Sequence, residues 1–421
     1  MIKQQRYLHT KTDLSFGWNK SSAMYTIKKI GSLFFTLLIV LLADSQQSLK
    51  QEMQKLVDED LRLAAKQYKY MQKLLPADKL PRSYDSVKNA LVVSGSDWWC
   101  SGFYPGTLWY LYEYTKDEAL KAEAIRSTAL LEKEKNNTGT HDLGFMLYCS
   151  YGNGFRLTKN SSYKDVMITG ARSLSTRFNS LIGCIKSWNS SRWQFPVIVD
   201  NMMNLEFLCE MTRLSGDSSF SKIAIIHANT TIKNHYRNDF SSYHVIDYDT
   251  ITGKKIKGYT AQGAFDESAW ARGQSWGLYG FTMMYRETKK PEYLSFAQNI
   301  ADFLLHHKNM PADKIPYWDY NATDIPNTYR DASAASILCS ALLELAKYAN
   351  EVQRKEYLNT AVTILKNLSS AYRAAVNTNG GFILKHSVGH LPGKSEIDVP
   401  LTYADYYFIE ALMRYKAWYL K

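Results

Sequence analysis

Met53-Gln54-Lys55-Leu56-Val57-Asp58-Glu59-Asp60-Leu61-Arg62-Leu63-Ala64-Ala65-Lys66-Gln67-Tyr68-Lys69-Tyr70-Met71 places Met53, Leu56, Val57, Leu61, Ala64, Ala65, Tyr68 and Met71 at steps of three and four. An α-helix gathers such a series onto one face, and a strand does not. The same period returns in Tyr293 to Leu305, Ala332 to Tyr348, Tyr357 to Val376 and Tyr403 to Tyr419, each set off by polar, turn-rich sequence. Helices joined in this way by long connections suit a toroid of helical hairpins. Strand patterns are few: Tyr243 to Tyr248 ahead of Thr252-Gly253-Lys254, and Gly381 to Leu384, both read as short hairpins in loops. No linker or shift of composition divides residues 50–421, so one all-helical domain over 46–421 is expected.

The chain has 421 residues, 45% of them hydrophobic, enough for a large core. Its 10 Trp, 30 Tyr and 17 Phe suit sugar binding, where flat rings stack on the apolar faces of pyranoses, and suit core packing equally. Of the net charge of +11, residues 1–45 hold six basic residues against Asp13 and Asp44, leaving +7 for the remainder. A mildly basic body attracts a small anionic substrate. It lacks the Lys/Arg blocks interleaved with aromatics that nucleic-acid binding needs, so no nucleic-acid partner is expected.

Ile30 to Ala43 is a short apolar run behind Lys28-Lys29 and ahead of Asp44-Ser45-Gln46-Gln47. Such a run is shorter than the ~20 residues a spanning helix needs, and with its charged flank it reads as a signal peptide within residues 1–45. Met24 is a candidate start. Export to the periplasm, with no integral membrane span left after cleavage, follows as an expectation. Cys100, Cys149, Cys184, Cys209 and Cys339 lack C-x-x-C spacing, so they read as buried thiols rather than as a disulfide framework or a zinc site. Gly152-Asn153-Gly154 lacks both a preceding strand and a third glycine, and there is no Walker, G-x-S-x-G or H-E-x-x-H pattern. No cofactor and no metal are expected.

Two acids stand in apolar surroundings: Asp142 in His141-Asp142-Leu143-Gly144-Phe145, and Asp200 in Val197-Ile198-Val199-Asp200-Asn201-Met202-Met203-Asn204-Leu205. A carboxyl among apolar neighbours holds its proton toward neutrality and can pass it to a substrate. A helix N-cap is the alternative reading of each. Asp97-Trp98-Trp99-Cys100-Ser101-Gly102-Phe103-Tyr104-Pro105-Gly106 offers Trp99 as a stacking wall or as core. In Gln262 to Trp276, Arg272 and Trp276 are spaced to share a helix face, where Arg272 would offer a planar fork to a carboxylate; a solvated helix end is the other reading. Two further segments, Tyr243 to Asp249 with His244 and His386 to Asp398 with Ser387 and Lys394, read as loops, the place where binding groups collect.

Together these segments resemble the unsaturated glucuronyl hydrolases of glycoside hydrolase family 88, over roughly residues 50–420. The likeness rests on Trp99-Cys100-Ser101-Gly102-Phe103, His141 to Phe145, Asp200 to Leu205, His244, Gln262-Gly263, Trp270 to Trp276 and Tyr403-Ala404-Asp405-Tyr406-Tyr407, in family order. It implies an (α/α)6 barrel whose mouth takes a 4,5-unsaturated uronic acid, the non-reducing end that polysaccharide lyases leave on glycosaminoglycan oligosaccharides. It also implies hydration of the vinyl ether, with Asp200 as general acid and base and Asp142 tuning it. The His141-Asp142 pair argues for the glucuronyl type over the related rhamnogalacturonyl hydrolases of pectin, with His141 among the substrate-binding residues. By the same resemblance His244, Gln262, Arg272 and Trp276 hold the uronate, Trp99 stacks on its ring, and Ser387 and Lys394 reach the second sugar or its sulfate. A non-catalytic sugar-binding barrel would keep Trp99, Arg272 and Trp276 but have no need of Asp200.

Overall fold

The computed structural model describes backbone from Lys20 to Lys421 and side chains from Gln47 onward. The chain divides into two compact units, Met1–Met53 and Gln54–Lys421. Of the first, only helical backbone from Lys20 is described, so the side chains of the expected signal segment Ile30 to Ala43 lie outside the described residues. Among the described residues no helix is long and apolar enough to cross a membrane.

The second unit is an (α/α)6 barrel. Helix α1 (Lys20–Leu74), from Gln54 on, lies outside α2 (Phe103–Thr115), and α3 (Glu118–Ala129) precedes a π-helical run, Gly144–Gly152, that continues as α4 (Asn153–Thr158). Helix α5 (Ser161–Ser175) precedes a 3-10 turn, Val199–Asn204, that continues as α6 (Leu205–Ser215). The remaining outer and inner pairs are α7 (Ser219–His235) with α8 (Ala271–Thr288), α9 (Pro291–His306) with α10 (Ala332–Leu345), and α11 (Glu351–Ser370) with α12 (Thr402–Tyr419). Each inner helix touches the next around the ring, and α12 closes on α2.

Two sequence styles make the two rings. Outer helices bury one stripe, as in Tyr293, Ala297, Ile300, Ala301, Leu304 and Leu305 of α9. Inner helices are covered on all sides: every residue of α10, and Ala271 to Met284 of α8, is buried. Such helices must carry small residues where neighbours press close. A Cβ on Gly280 would stand 2.5 Å from that of Met202, which is how α8 packs flat against the turn that carries Asp200. Helix α11 begins earlier than its apolar period suggests, because the Asn350 side chain accepts from Gln353 N and caps it.

Small antiparallel sheets decorate the barrel: β1 (Leu80–Asp85) with β2 (Ala90–Ser94), β3 (Phe178–Asn179) with β4 (Cys184–Ile185), the three-stranded β5 (Pro196–Ile198), β6 (Val245–Tyr248) and β7 (Lys255–Tyr259), and β8 (Ser387–His390) with β9 (Ser395–Val399). The hairpin expected at Tyr243 to Tyr248 forms as β6 with β7, whereas segment 386–398, read as a loop, contains β8 and β9. The expected strand at Gly381 to Leu384 does not form. Gly380 and Gly381 sit at φ 62° and 91°, and the amides of Ile383 and Leu384 donate to the Asp405 carboxylate (2.9 and 3.0 Å) instead of to a neighbouring strand. All five cysteines are buried and unpaired.

Candidate active site

The inner helices run parallel, and the residues singled out above collect at their N-terminal ends. Trp99 precedes α2, His141 and Asp142 precede the π-helical run, Asp200 lies in the turn before α6, and Arg272 and Trp276 occupy the first turns of α8. Packed rings join these ends: Trp99 with Tyr403 (centroids 4.9 Å) and Phe145 (5.7 Å), and Phe145 with Trp276 (5.1 Å). The mouth so formed gathers the positive ends of several helix dipoles, a setting that favours an anion.

Neither acid caps a helix. Asp142 accepts from the Thr140 hydroxyl (2.7 Å) and stands 3.2 Å from His141 Nε2. Asp200 is buried, and its Oδ2 has no hydrogen-bond partner although His244 Nε2 is 3.7 Å away. Burial pushes the Asp200 carboxyl up to about 7; Arg272 opposes the shift, Asp142 adds to it, and the indole N–H of Trp276 favours the charged form. A carboxyl that titrates near neutrality, with one buried oxygen left without a partner, is equipped to give and retake a proton. Asp405 makes the contrast, for burial lifts it to about 7 as well, yet Ile383 N, Leu384 N and Tyr68 Oη fill its oxygens.

His244 has a fixed tautomer. Its Nδ1 accepts from the backbone N–H of Ala261 (3.1 Å) and Gln262 (3.2 Å), so its proton is on Nε2, aimed at Asp200. Burial, with Arg272 nearby, holds its pKa well below the ordinary value, so the ring is neutral. Burial likewise lowers His141, against the pull of Asp142 and Asn201.

Two expectations, for Arg272 and Ser387, need correction. The guanidinium of Arg272 is not an open fork: it is 1% exposed, donates to Asp331 (3.2 Å), to Val388 O and to Gly389 O (2.6 Å), and lies over the rings of Trp270 and Tyr403. Its charge still reaches Asp200, but its donors hold strand β8. Trp276 is fully buried between Phe145 and Tyr407, so it offers an N–H rather than a stacking face. Ser387 is fully buried too and reaches no second sugar, whereas Lys394 is exposed at the β8–β9 turn. Gln262 donates to Gly389 O (3.0 Å), adding a second grip on β8, and Trp99 is partly exposed at the mouth.

Asp331 escaped the sequence reading, and Trp270 entered it only as part of a motif. Asp331 caps α10 through Ser333 N and pairs with Arg272, and Trp270 lies beneath His244 (4.6 Å). The cap pattern Asp331-Ala332-Ser333 was a signal for the first. Tyr403, noted only as part of a motif, has a buried hydroxyl without a partner, next to Trp99. Among the described residues no group of three or more His, Cys, Asp or Glu is placed to hold a metal.

The sequence pattern of Glycosyl Hydrolase Family 88 matches residues 76–418. The chain belongs to this family. It is thus a glycoside hydrolase. An unsaturated glucuronyl hydrolase of Formosa agariphila is 47% identical over 342 residues, 80% of this chain and 85% of that protein. An unsaturated chondroitin disaccharide hydrolase of Streptococcus agalactiae is 31% identical over 343 residues, 80% of this chain and 86% of that one. A solved unsaturated glucuronyl hydrolase specific for heparin superposes with a TM-score of 0.84 at 46% identity, covering 86% of this chain and 97% of the other.

Proposed function

We propose that this family member removes the 4,5-unsaturated uronic acid from the non-reducing end of lyase-generated glycosaminoglycan oligosaccharides, with Asp200 as general acid and base. The observation that carries the reading is the free, buried Oδ2 of a carboxyl that still holds a proton near neutrality. Protonated Asp200 delivers its proton to carbon 4 of the vinyl ether, and the π electrons form the new C–H bond. Positive charge develops at carbon 5, shared with the ring oxygen, while the carboxylate left behind stabilises it. Water adds at carbon 5 and returns a proton to Asp200. The hemiketal then opens and releases the aglycone.

Asp142, fixed by Thr140 and His141, keeps Asp200 protonated through its charge and positions the sugar. The Nε2–H of His244, the Nε1–H of Trp276 and the hydroxyl of Tyr403 are buried donors left open for the uronate, and Trp99 supplies a ring for it to lie on. The relatives named for glucuronyl and chondroitin substrates favour this substrate class over a rhamnogalacturonan fragment. Export follows the same reading: Lys28 to Ala43 serves as a signal that delivers the enzyme to the periplasm, and N-terminal sequencing of the mature protein tests it. The decisive assay mixes purified protein with lyase-made disaccharides and follows loss of the near-ultraviolet absorbance of the conjugated uronate. Asp200→Asn should abolish that loss while disaccharide binding persists; undiminished turnover in this variant would overturn the assignment.

A further inference from the structure

The segment between β4 and β5 carries a group that the reaction does not use. Its chain is fixed at both ends to the strands that deliver Asp200 and His244. Ser187 O accepts from His141 N (3.1 Å), Ser187 Oγ accepts from Ile198 N (2.9 Å), and the amides of Gln194 and Phe195 donate to the Asp247 carboxylate of β6 (3.3 and 2.8 Å). Between these anchors Ser190 Oγ accepts from Arg192 N (3.0 Å) and Trp193 N (3.2 Å), which fixes the turn. Trp193 is half-buried between Trp188 and Tyr259, each 6.0 Å away by ring centroid.

On this aromatic row lies Arg192, its guanidinium 4.6 Å from the Trp193 ring centroid. Arg82, Arg126, Arg156 and Arg330 each meet a carboxylate. The guanidinium of Arg192 is exposed and donates to no protein group among the described residues. Stacking on an indole removes much of the rotamer freedom that an arginine ordinarily loses on binding, while its in-plane N–H groups stay open. An arginine held over an indole, unpaired, and carried on a loop anchored to the strand that leads to Asp200 is an oxyanion receptor.

The geometry points to Arg192, held on Trp193, as the group that receives a sulfate or carboxylate on the sugars beyond the unsaturated uronate. This rests on the Asp200-centred reading and adds a determinant of aglycone preference. Lys257, over Tyr259 and tied to Asp266 (3.3 Å), extends the positive rim on the same side.

Three substrates test it: an unsulfated disaccharide, its sulfated counterpart, and an unsulfated tetrasaccharide whose next uronate supplies the carboxylate. Wild-type kcat/KM should favour at least one anionic aglycone over the neutral one. In Arg192→Ala and Trp193→Ala that preference should shrink roughly three- to ten-fold through KM, the size of one stacked or charge-assisted contact. Loss of preference confined to the sulfated disaccharide identifies sulfate as the ligand, and loss confined to the tetrasaccharide identifies the carboxylate. A preference equal to wild type in both anionic arms, or an equal loss on all three substrates, overturns the proposal. If wild-type protein turns over no disaccharide, the Asp200 reading fails on its own account, and calorimetric binding of the same three saccharides still measures the Arg192 preference.

Discussion

The two ends of the inner helix ring treat buried polar groups in opposite ways. At the mouth, Asp200 Oδ2, His244 Nε2, Trp276 Nε1 and Tyr403 Oη are buried without partners. Toward the far end, Arg286 donates to both oxygens of Glu344 (2.9 Å each) and pairs with Glu206, while Glu410 takes hydrogen bonds from Tyr110 (3.1 Å), Tyr279 (3.0 Å) and Ser340 (2.6 Å) beside Arg414. A cavity of about 310 Å3 lies at this end, lined by Tyr148, Glu206, Tyr279 and Arg414 among others. Space is therefore a poor guide to function in this barrel. Unsatisfied donors and acceptors cost stability, and they are retained where a substrate completes them.

The sharpest break of this contrast is Asp200→Asn, which leaves the mouth its shape but removes the proton. A fall in kcat of about 10²–10⁴-fold is expected, read by the absorbance assay, with disaccharide binding retained. The same group sets a pH limit: the acid must be protonated, so kcat/KM should decline as pH rises through about 7. A profile flat from pH 5 to 9 would remove Asp200 from that role.

At the far end, Arg286→Ala should cost about 3 kcal/mol in denaturant unfolding by stripping buried carboxylates of their partner, while KM of the remaining folded enzyme stays at the wild-type value. At the mouth the sign reverses. The Asp200 carboxyl titrates higher folded than unfolded, so its favourable protonated burial is intact below the ordinary value of 3.8 and is lost as pH climbs through about 7. Asp200→Asn should hence raise stability at pH 8, by up to about 4 kcal/mol, and much less at pH 4, read by thermal unfolding. Equal shifts at both pH values would show that the carboxyl is not destabilised by charge. The smallest effect belongs to Ser387→Ala: with its buried hydroxyl unpartnered, stability should move by no more than about 1 kcal/mol and activity should not move.

Much of the barrel was legible because outer helices obey a simple rule, one buried stripe per helix. Of the inner helices, α10 and α12 showed the same period, and the start of α8 was harder. Gly273, Gln274, Ser275 and Gly277 look like a solvated helix end in sequence, yet all are buried, because close neighbours replace what their side chains do not fill. The acids at 142 and 200 stood out as charges in apolar runs, and that cue survives folding. His244 was legible from its loop and Arg272 from its helix spacing, whereas Gln262 was legible only as a member of a motif. Nothing local says that two backbone amides fix the His244 tautomer, or that Arg272 is taken up by Asp331 and the β8 carbonyls.

The order of apolar and polar residues by itself determined the helical hairpins and marked which acids would be expensive to bury, since both follow from the period of a helix and the cost of desolvating a charge. Only the tertiary structure decided which polar atoms were left without partners, because satisfaction depends on groups brought together from Thr140, Asp200, His244 and Arg272, far apart along the chain.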